Sequence, residues 1–182
     1  MREPISTEAV YAGTFDPYTI GHDHIVQQAL PLFDKLTLAI GVNPDKKTKF
    51  SLEDRIAMLQ DVANYHLDQA KIKSRFVGAL RVTSFENQYL VNYAESIGAQ
   101  YVIRGLRNTI DFEFERTMAQ INKSINPKIK TVFFMAEREF AEISSSMVRG
   151  LIGPDEWQTV IKKYIPRPMW NRFIMSAGYA EI

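Results

Sequence analysis

Four short stretches of this chain are apolar almost without interruption: EAVYAG (Glu8 to Gly13), KLTLAIGV (Lys35 to Val42), QYVIRG (Gln100 to Gly105) and KTVFFMA (Lys130 to Ala136). A strand with one wet face alternates apolar and polar residues, whereas a strand covered on both faces reads as a continuous apolar run. Between the runs, apolar residues recur at helical spacing. HIVQQALPLFD carries Ile25, Val26, Ala29, Leu30 and Phe33, and Pro31 inside that pattern is expected to kink or disturb the helix. SLEDRIAMLQDVANYHL opens on Ser51, a predicted N-cap with Asp54 three residues on, and aligns Leu52, Ile56, Leu59, Val62 and Ala63. IDFEFERTMAQINKSI offers Phe112, Met118, Ile121 and Ile125 for packing and is broken by Asn126-Pro127.

A further strand, third in chain order, is expected within Ile72 to Val77. The segment GALRVTSFENQYLVNYAESIGA reads as helix only over about Asn87 to Ile97, ending near Gly98. ISSSMVRGLIG predicts a helix behind a serine cap. The tail predicts one helix before Pro166 and another over Met169 to Ala177. Strands alternating with helices in this way predict an α/β fold, a Rossmann-like five-stranded parallel sheet with helices on both faces. With 182 residues, one domain is expected, its core at about 8–153 and a helical tail at about 154–182.

Composition narrows the chemistry. There is no cysteine, so disulfides, thiolate catalysis and Cys-based zinc sites are excluded. A net charge of +1 argues against a polybasic nucleic-acid binder but leaves room for a local basic site. MREPISTEAV has no apolar run, and no stretch approaches the roughly 20 apolar residues of a membrane span. A cytoplasmic protein without a membrane partner is expected.

Ligands of parallel sheets bind at the carboxyl ends of the strands. After the first strand, GTFDPYTIGHDH places Gly13, Asp16-Pro17 and Gly21 as in any strand-to-helix turn, but adds His22 and His24 at the helix start. Free N–H groups and the helix dipole favour anions there, so a histidine gains nothing as a cation and serves as a donor to a bound phosphate. A two-residue step turns helical side chains roughly 200° apart, so only one can face that phosphate. His22 is assigned to it and His24 is read as a surface or capping residue. The glycine spacing fits neither GxGxxG nor GxxxxGK[ST].

The loop NPDKKTKF after the second strand carries Lys46, Lys47 and Lys49. Singly each reads as a solvated lysine; on the same sheet edge as His22 they make a phosphate site. In RGLRNTIDFEFE, Arg104 ends a buried strand and Arg107 lies in the turn. Such an arginine needs an anionic partner, either Glu113 or Glu115 in an internal ion pair, or a bound phosphate or carboxylate. Ser144, Ser145 and Ser146 open the helix after the fifth strand; N-capping explains one hydroxyl, and an anion cradle explains the three. Cations and donors at four strand ends of one sheet describe a polyphosphate site.

These stretches resemble a known family. GTFDPYTIGH is similar to the opening motif of the nucleotidyltransferase superfamily with the [HT]xGH signature, here Thr19, Ile20, Gly21 and His22. ISSSMVR resembles its second motif, the counterpart of the KMSKS segment of class I aminoacyl-tRNA synthetases. Within the superfamily, YAGTFDP, KKTKFSLEDR, VIRGLRNTIDFEFE and ISSSMVR resemble the phosphopantetheine adenylyltransferase family, over about Val10 to Arg149. The resemblance implies transfer of AMP from ATP to 4'-phosphopantetheine, giving dephospho-coenzyme A and pyrophosphate. It implies Mg2+ held mainly by ATP phosphates and water, with no protein ligand to the metal. It also implies a homohexamer, and a site at which coenzyme A would compete.

The same resemblance implies roles. His22, Lys46 and Arg107 would be catalytic, His22 stabilising charge on the α-phosphate. Thr14 and Lys46 would hold the acceptor phosphate, and Arg104, Leu90 and Val91 the pantetheine. Arg107, Ser144, Ser145 and Ser146 would bind the β- and γ-phosphates, with Gly13, Phe15, Gly105 and Glu115 bordering the nucleotide. The chain departs from the family at Ala12, commonly Pro, at Ile20, commonly Asn, and at Phe114, often Tyr. The competing expectations are another acceptor, such as nicotinamide mononucleotide or glycerol 3-phosphate, and a non-catalytic nucleotide- or coenzyme A-binding protein. RGLRNTIDFEFE argues against the first, and His22, Lys46, Arg107 and the serines against the second.

Overall fold

The computed structural model describes residues 6–72 and 78–178. Its sheet is built from β1 (Glu8–Gly13), β2 (Lys35–Val42), β3 (Ala79–Glu86), β4 (Tyr101–Leu106) and β5 (Lys130–Met135). Their order across the sheet is β3-β2-β1-β4-β5, and every pairing is parallel. The connections are α1 (Ile20–Ala29), α2 (Leu52–Ile72), α3 (Leu90–Ser96) and α4 (Thr109–Ile125). They are followed by α5 (Ser145–Gly150), α6 (Trp157–Ile161) and α7 (Trp170–Ser176).

The inner strands β1 and β2 bury both faces. From β1, Ala9 and Tyr11 join the larger core, where they meet Ile25 and Val26 of α1 and Leu59 and Val62 of α2. Val10 and Ala12 point the other way, into a second core with Val91 and Ala94 of α3. The period-2 alternation of a strand divides adjacent residues between the two layers, which is why the run had to be apolar throughout. Trp157, Ile161, Phe173 and Ile174 of the C-terminal helices enter the larger core.

The sheet runs outward in both directions from β1, so the connections leaving β1 and β4 diverge. The carboxyl ends of these two strands form the crevice where such sheets bind ligands.

Several expectations are corrected. Residues 73–77 of the expected third strand lie outside the described residues, and Ile72 is the last residue of α2. The third strand is Ala79–Glu86, whose mixed pattern belongs to a sheet edge. Pro31 ends the helix rather than kinking it: α1 stops at Ala29 with Leu30 as C-cap. α4 has an apolar stripe that the chain does not cover: Phe112 and Ile121 are exposed and Glu115 is its only buried residue.

Candidate active site

A cleft of about 280 Å3 opens at the carboxyl ends of β1 and β4. Gly13 ends β1 because the chain must turn back under itself: a Cβ there would come 2.9 Å from the Phe15 ring. Phe15 lies in the left-handed region, at φ 46, and is buried. Gly105 plays the same part on β4, since a Cβ would meet Ile25 at 2.9 Å. Both glycines keep the cleft floor open by letting backbone and side chain approach closely.

The β1–α1 loop is held from three directions. The carboxylate of Asp16, 4% exposed, accepts from the backbone N–H groups of Lys49 and Phe50 at 3.0–3.1 Å. Arg149 of α5 bonds the Asp16 carbonyl and lies 3.4 Å from its carboxylate. Arg55 of α2, also buried, donates to the carbonyls of Thr14 at 2.9 Å and Ser51 at 3.2 Å. Three loops that carry expected site residues are thus tied through Asp16 and Arg55.

His22 occupies the third position of α1. Its Nδ1 accepts from the Thr19 N–H at 3.1 Å and lies 2.9 Å from the Thr19 hydroxyl, while its own N–H donates to that hydroxyl's oxygen at 3.4 Å. This capping box fills Nδ1 with donors and so places the imidazole proton on Nε2. Among the described residues Nε2 has no partner, and the ring lines the cleft. Burial, then the charges of Arg107 and Arg104, push the His22 pKa down to about 4. At neutral pH His22 is therefore an uncharged N–H donor, as expected for an imidazole at a helix N-terminus.

The rest of the first turn is closed except at one point. Ile20 donates to the Tyr164 carbonyl at 3.0 Å and Asp23 to the Thr19 carbonyl at 3.0 Å. Gly21 lines the cleft, and among the described residues its N–H has no partner. The C-terminal segment therefore braces the corner at Ile20, through a backbone carbonyl that leaves no mark in the sequence.

Arg104 is bound to Glu115, through Nε at 2.7 Å and through Nη2, and to the Ala12 carbonyl at 2.9 Å. Of the two readings of this arginine, the internal ion pair is the one present. It leaves two of the five guanidinium N–H groups. Burial opposes the Arg104 charge, and the hydrogen bonds and charge of Glu115 outweigh it, so its pKa is raised. Arg107 pairs with Asp111, through Nε at 2.8 Å and Nη2 at 3.1 Å, and Asp111 also accepts the Arg107 backbone N–H. This partner was not read from the sequence.

Gly13, Phe15, His22, Arg104, Gly105, Arg107, Glu115 and the three serines all border the cleft. Each serine also has a protein partner, so no hydroxyl is unexplained without a ligand. Ser144 caps α5 through Met147 N–H, Ser145 donates to the Pro17 carbonyl, and Ser146 accepts from Arg149. Thr14 and Lys46 are not in the cleft wall but are joined to each other, Lys46 Nζ donating to the Thr14 hydroxyl at 2.9 Å. Lys47 and Lys49 are exposed. Leu90 is half-buried, and Val91 has no exposed surface at all. Val91 packs in the second core. Phe114 is 62% exposed and outside the cleft wall.

His24 is corrected. It is no surface residue: its side chain is 12% exposed, stacks on Phe140 at 4.3 Å and accepts from the Glu137 N–H at 3.4 Å. It fastens the β5–α5 loop to α1, on the side of the helix away from the His22 position. Among the described residues, no helix is long and apolar enough to cross a membrane.

The comparisons with known proteins point one way. The family profile described as cytidylyltransferase-like matches residues 10–151. A phosphopantetheine adenylyltransferase of Chromobacterium violaceum is 49% identical over 173 residues, covering 95% of this chain and 98% of the relative. One of Neisseria meningitidis is 41% identical over 91% of each chain. The fold is similar to that of the Plasmodium falciparum nicotinic acid mononucleotide adenylyltransferase complexed with NaAD. That likeness has a TM-score of 0.64 at 20% identity, covering 93% of this chain and 95% of that one. With the His22 corner, the paired arginines and the serine turn lying inside the matched span, the chain belongs to the cytidylyltransferase-like nucleotidyltransferases and, among them, to the phosphopantetheine adenylyltransferase family.

Proposed function

We propose that the protein transfers AMP from ATP to 4'-phosphopantetheine, releasing pyrophosphate and forming dephospho-coenzyme A. The observation that carries this reading is the neutral His22, its Nδ1 filled by Thr19 and its Nε2–H open to a cleft bordered by Arg107 and three serines. A phosphate monoester is already an anionic nucleophile, so the reaction asks for placement and charge stabilisation rather than a general base. An oxygen of the acceptor phosphate attacks the α-phosphorus of ATP. A new P–O bond forms as the bond to the bridging oxygen of pyrophosphate breaks, and pyrophosphate leaves with that electron pair.

His22 Nε2–H donates to a non-bridging oxygen of the α-phosphate as charge builds there. Arg107 and Ser144 to Ser146 hold the β- and γ-phosphates. Lys46, linked to Thr14, holds the acceptor phosphate on the other side. Arg104 and Leu90 lie toward the pantetheine, and Gly13, Phe15, Gly105 and Glu115 border the adenosine.

Mg2+ fits this site only as a passenger of the triphosphate. Asp111 and Glu115, the carboxylates of the cleft wall, each already hold an arginine. Among the described residues no group of three acidic or histidine side chains could hold a metal. When bound to the phosphates, the ion would offset their charge.

Assembly into a homohexamer, as the family resemblance implies, would use the uncovered face of α4, where Ile110 is 81% and Phe114 62% exposed beside Met135 of edge strand β5 at 61%. Coenzyme A, sharing the product's pantetheine and adenylate parts, would compete for the same cleft.

The reading is tested by offering the purified protein Mg-ATP with 4'-phosphopantetheine or nicotinamide mononucleotide and following pyrophosphate. Release with 4'-phosphopantetheine is expected. Release only with nicotinamide mononucleotide, or with neither, overturns the assignment. Light scattering gives the mass of the assembly, and a monomer would end the hexamer reading.

A further inference from the structure

The capping box grips His22 at one atom, Nδ1. A ring held at one point can still tilt, and the direction of Nε2–H depends on the tilt. The plane of the ring is set by its faces. The Tyr18 ring stacks on His22 at a centroid distance of 5.5 Å and an interplanar angle of 24°. Phe15 meets His22 edge-on at 5.2 Å and Tyr18 edge-on at 5.5 Å. Tyr18 is itself fixed at its far end. It has no exposed surface, and its hydroxyl donates to Asp23 Oδ1 at 3.2 Å. The same oxygen lies 2.8 Å from His66 Nε2 of α2, and Asp23 Oδ2 accepts from Gln27 at 2.7 Å. The Asp23 and His66 side chains are 13% and 12% exposed, so the link is shielded from water.

We propose that Tyr18, Asp23 and His66 form a positioning chain that sets the plane of the His22 imidazole and so aims its Nε2–H at the reacting phosphate. None of the three lines the cleft, so none touches substrate. Asp23 alone could be read as an acid favoured by the first turn of α1. That reading does not account for a buried tyrosine whose ring lies on the catalytic imidazole, nor for a histidine from another helix on the same carboxylate oxygen. The chain anchors the His22 plane to α2, the longest helix of the molecule. The proposal rests on the reading of His22 as donor to the transferring phosphate.

Four substitutions test it in the full-length protein, with Mg-ATP and 4'-phosphopantetheine as substrates. Tyr18→Leu removes the stacking face and should lower kcat by about tenfold to a hundredfold, the scale of a misplaced catalytic group. Tyr18→Phe keeps the face and loses the hydroxyl anchor, so it should lower kcat by a few fold. His66→Ala should do the same, and His66→Gln, whose amide can still donate to Asp23, should recover most of the loss. The KM for ATP should stay within about twofold throughout, because ground-state binding is not the affected step. In a His22→Ala background all four substitutions should have no further effect on kcat, since residues that act through one group are not additive.

A separate arm needs no turnover. Two-bond 1H–15N correlation of the imidazoles should give His22 as a single Nε2–H tautomer in the wild type. Its shifts should move in Tyr18→Leu and in His66→Ala, although neither residue bonds to it. Wild-type kcat in folded Tyr18→Leu and His66→Ala, equal losses in the His22→Ala background, or unmoved His22 signals would each overturn the proposal. If Tyr18→Leu does not fold, Tyr18→Phe and His66→Ala carry the same test. Were the wild type to release no pyrophosphate with 4'-phosphopantetheine, the functional reading would fall, and the imidazole spectra alone would decide the positioning role.

Discussion

The two sides of the cleft are built differently. On the side assigned to the nucleotide the main side chains are tied within the protein: Arg107 to Asp111, His22 Nδ1 to Thr19, and Ser145 to the Pro17 carbonyl. On the acceptor side Lys46 has one neutral partner, Thr14, and Lys47 and Lys49 extend into solvent. Groups fixed before the substrate arrives cost little to reorganise during reaction. Exposed lysines are compact charges on flexible stems, which suit capture better than alignment. Under the proposed function, the first wall would stabilise the transition state and the second would recruit the acceptor.

The strongest way to break this contrast is His22→Ala. If the tied wall stabilises the transition state, kcat should fall about 10²–10³-fold, the usual effect of deleting one such donor. ATP binding, measured by calorimetry, should weaken far less. A variant that keeps its kcat, or loses ATP affinity in proportion, would move His22 from chemistry to binding.

Arg107→Ala comes next. A hydrogen bond to a charged group contributes about 1.5–3 kcal/mol, so ATP affinity should fall by roughly tenfold to a hundredfold. Asp111, left without its partner, adds repulsion toward the phosphates in the same direction. Unchanged ATP affinity would remove Arg107 from the triphosphate site.

How far these walls could be read from the sequence follows from the same physics. β1 and β2 fall on the expected residues, and β4 and β5 within one residue at each end; the inner strands must be apolar because both faces are covered, and β5, though at an edge, keeps the apolar run VFFM. β3 lies at an edge, its residues mostly half-exposed, and ALRVTSFE alternates too loosely to stand out. The residues of the tied wall were legible because each lies in the loop or helix start that follows a strand. Their partners were legible only when close in sequence and of the right charge, as Glu115 is for Arg104. His24 was misplaced because Phe140, the ring it stacks on, lies at the far end of the β5–α5 loop with no local signal to join them. Tyr164 supports Ile20 through a main-chain carbonyl, which any residue could supply.

Lys46→Ala sharpens the comparison from the other side. An exposed charge with a single neutral partner is worth about 1 kcal/mol at most in static terms, so the KM for 4'-phosphopantetheine should rise by a few fold. The effect should shrink as salt is added, because exposed charges are screened over about 8–10 Å at moderate ionic strength. ATP affinity should not change. If it does, or if salt leaves the effect intact, Lys46 belongs with the tied wall.

The smallest effect is invisible at neutral pH and concerns protons. Burial in the tied wall lowers the His22 pKa from its ordinary 6.5 to about 4, with Arg107 and Arg104 pushing the same way. Between those values the unfolded chain binds a proton at this position and the folded protein does not. By linkage, stability rises with pH wherever the unfolded state holds more protons. The His22 contribution is therefore fully present above about pH 6.5, declines as the pH falls toward 4, and is lost below that. Replacing His22 by Gln, which keeps the volume and cannot titrate, should remove this share of acid sensitivity. Urea unfolding of the two proteins across this range should give parallel stabilities above pH 6.5 and a difference that changes in favour of His22→Gln as the pH drops. Curves that remain parallel down to pH 4 would mean that His22 is not held neutral by the fold. The charge on the nucleotide side of the cleft would then have to be reassigned, and with it the division of labour between the two walls.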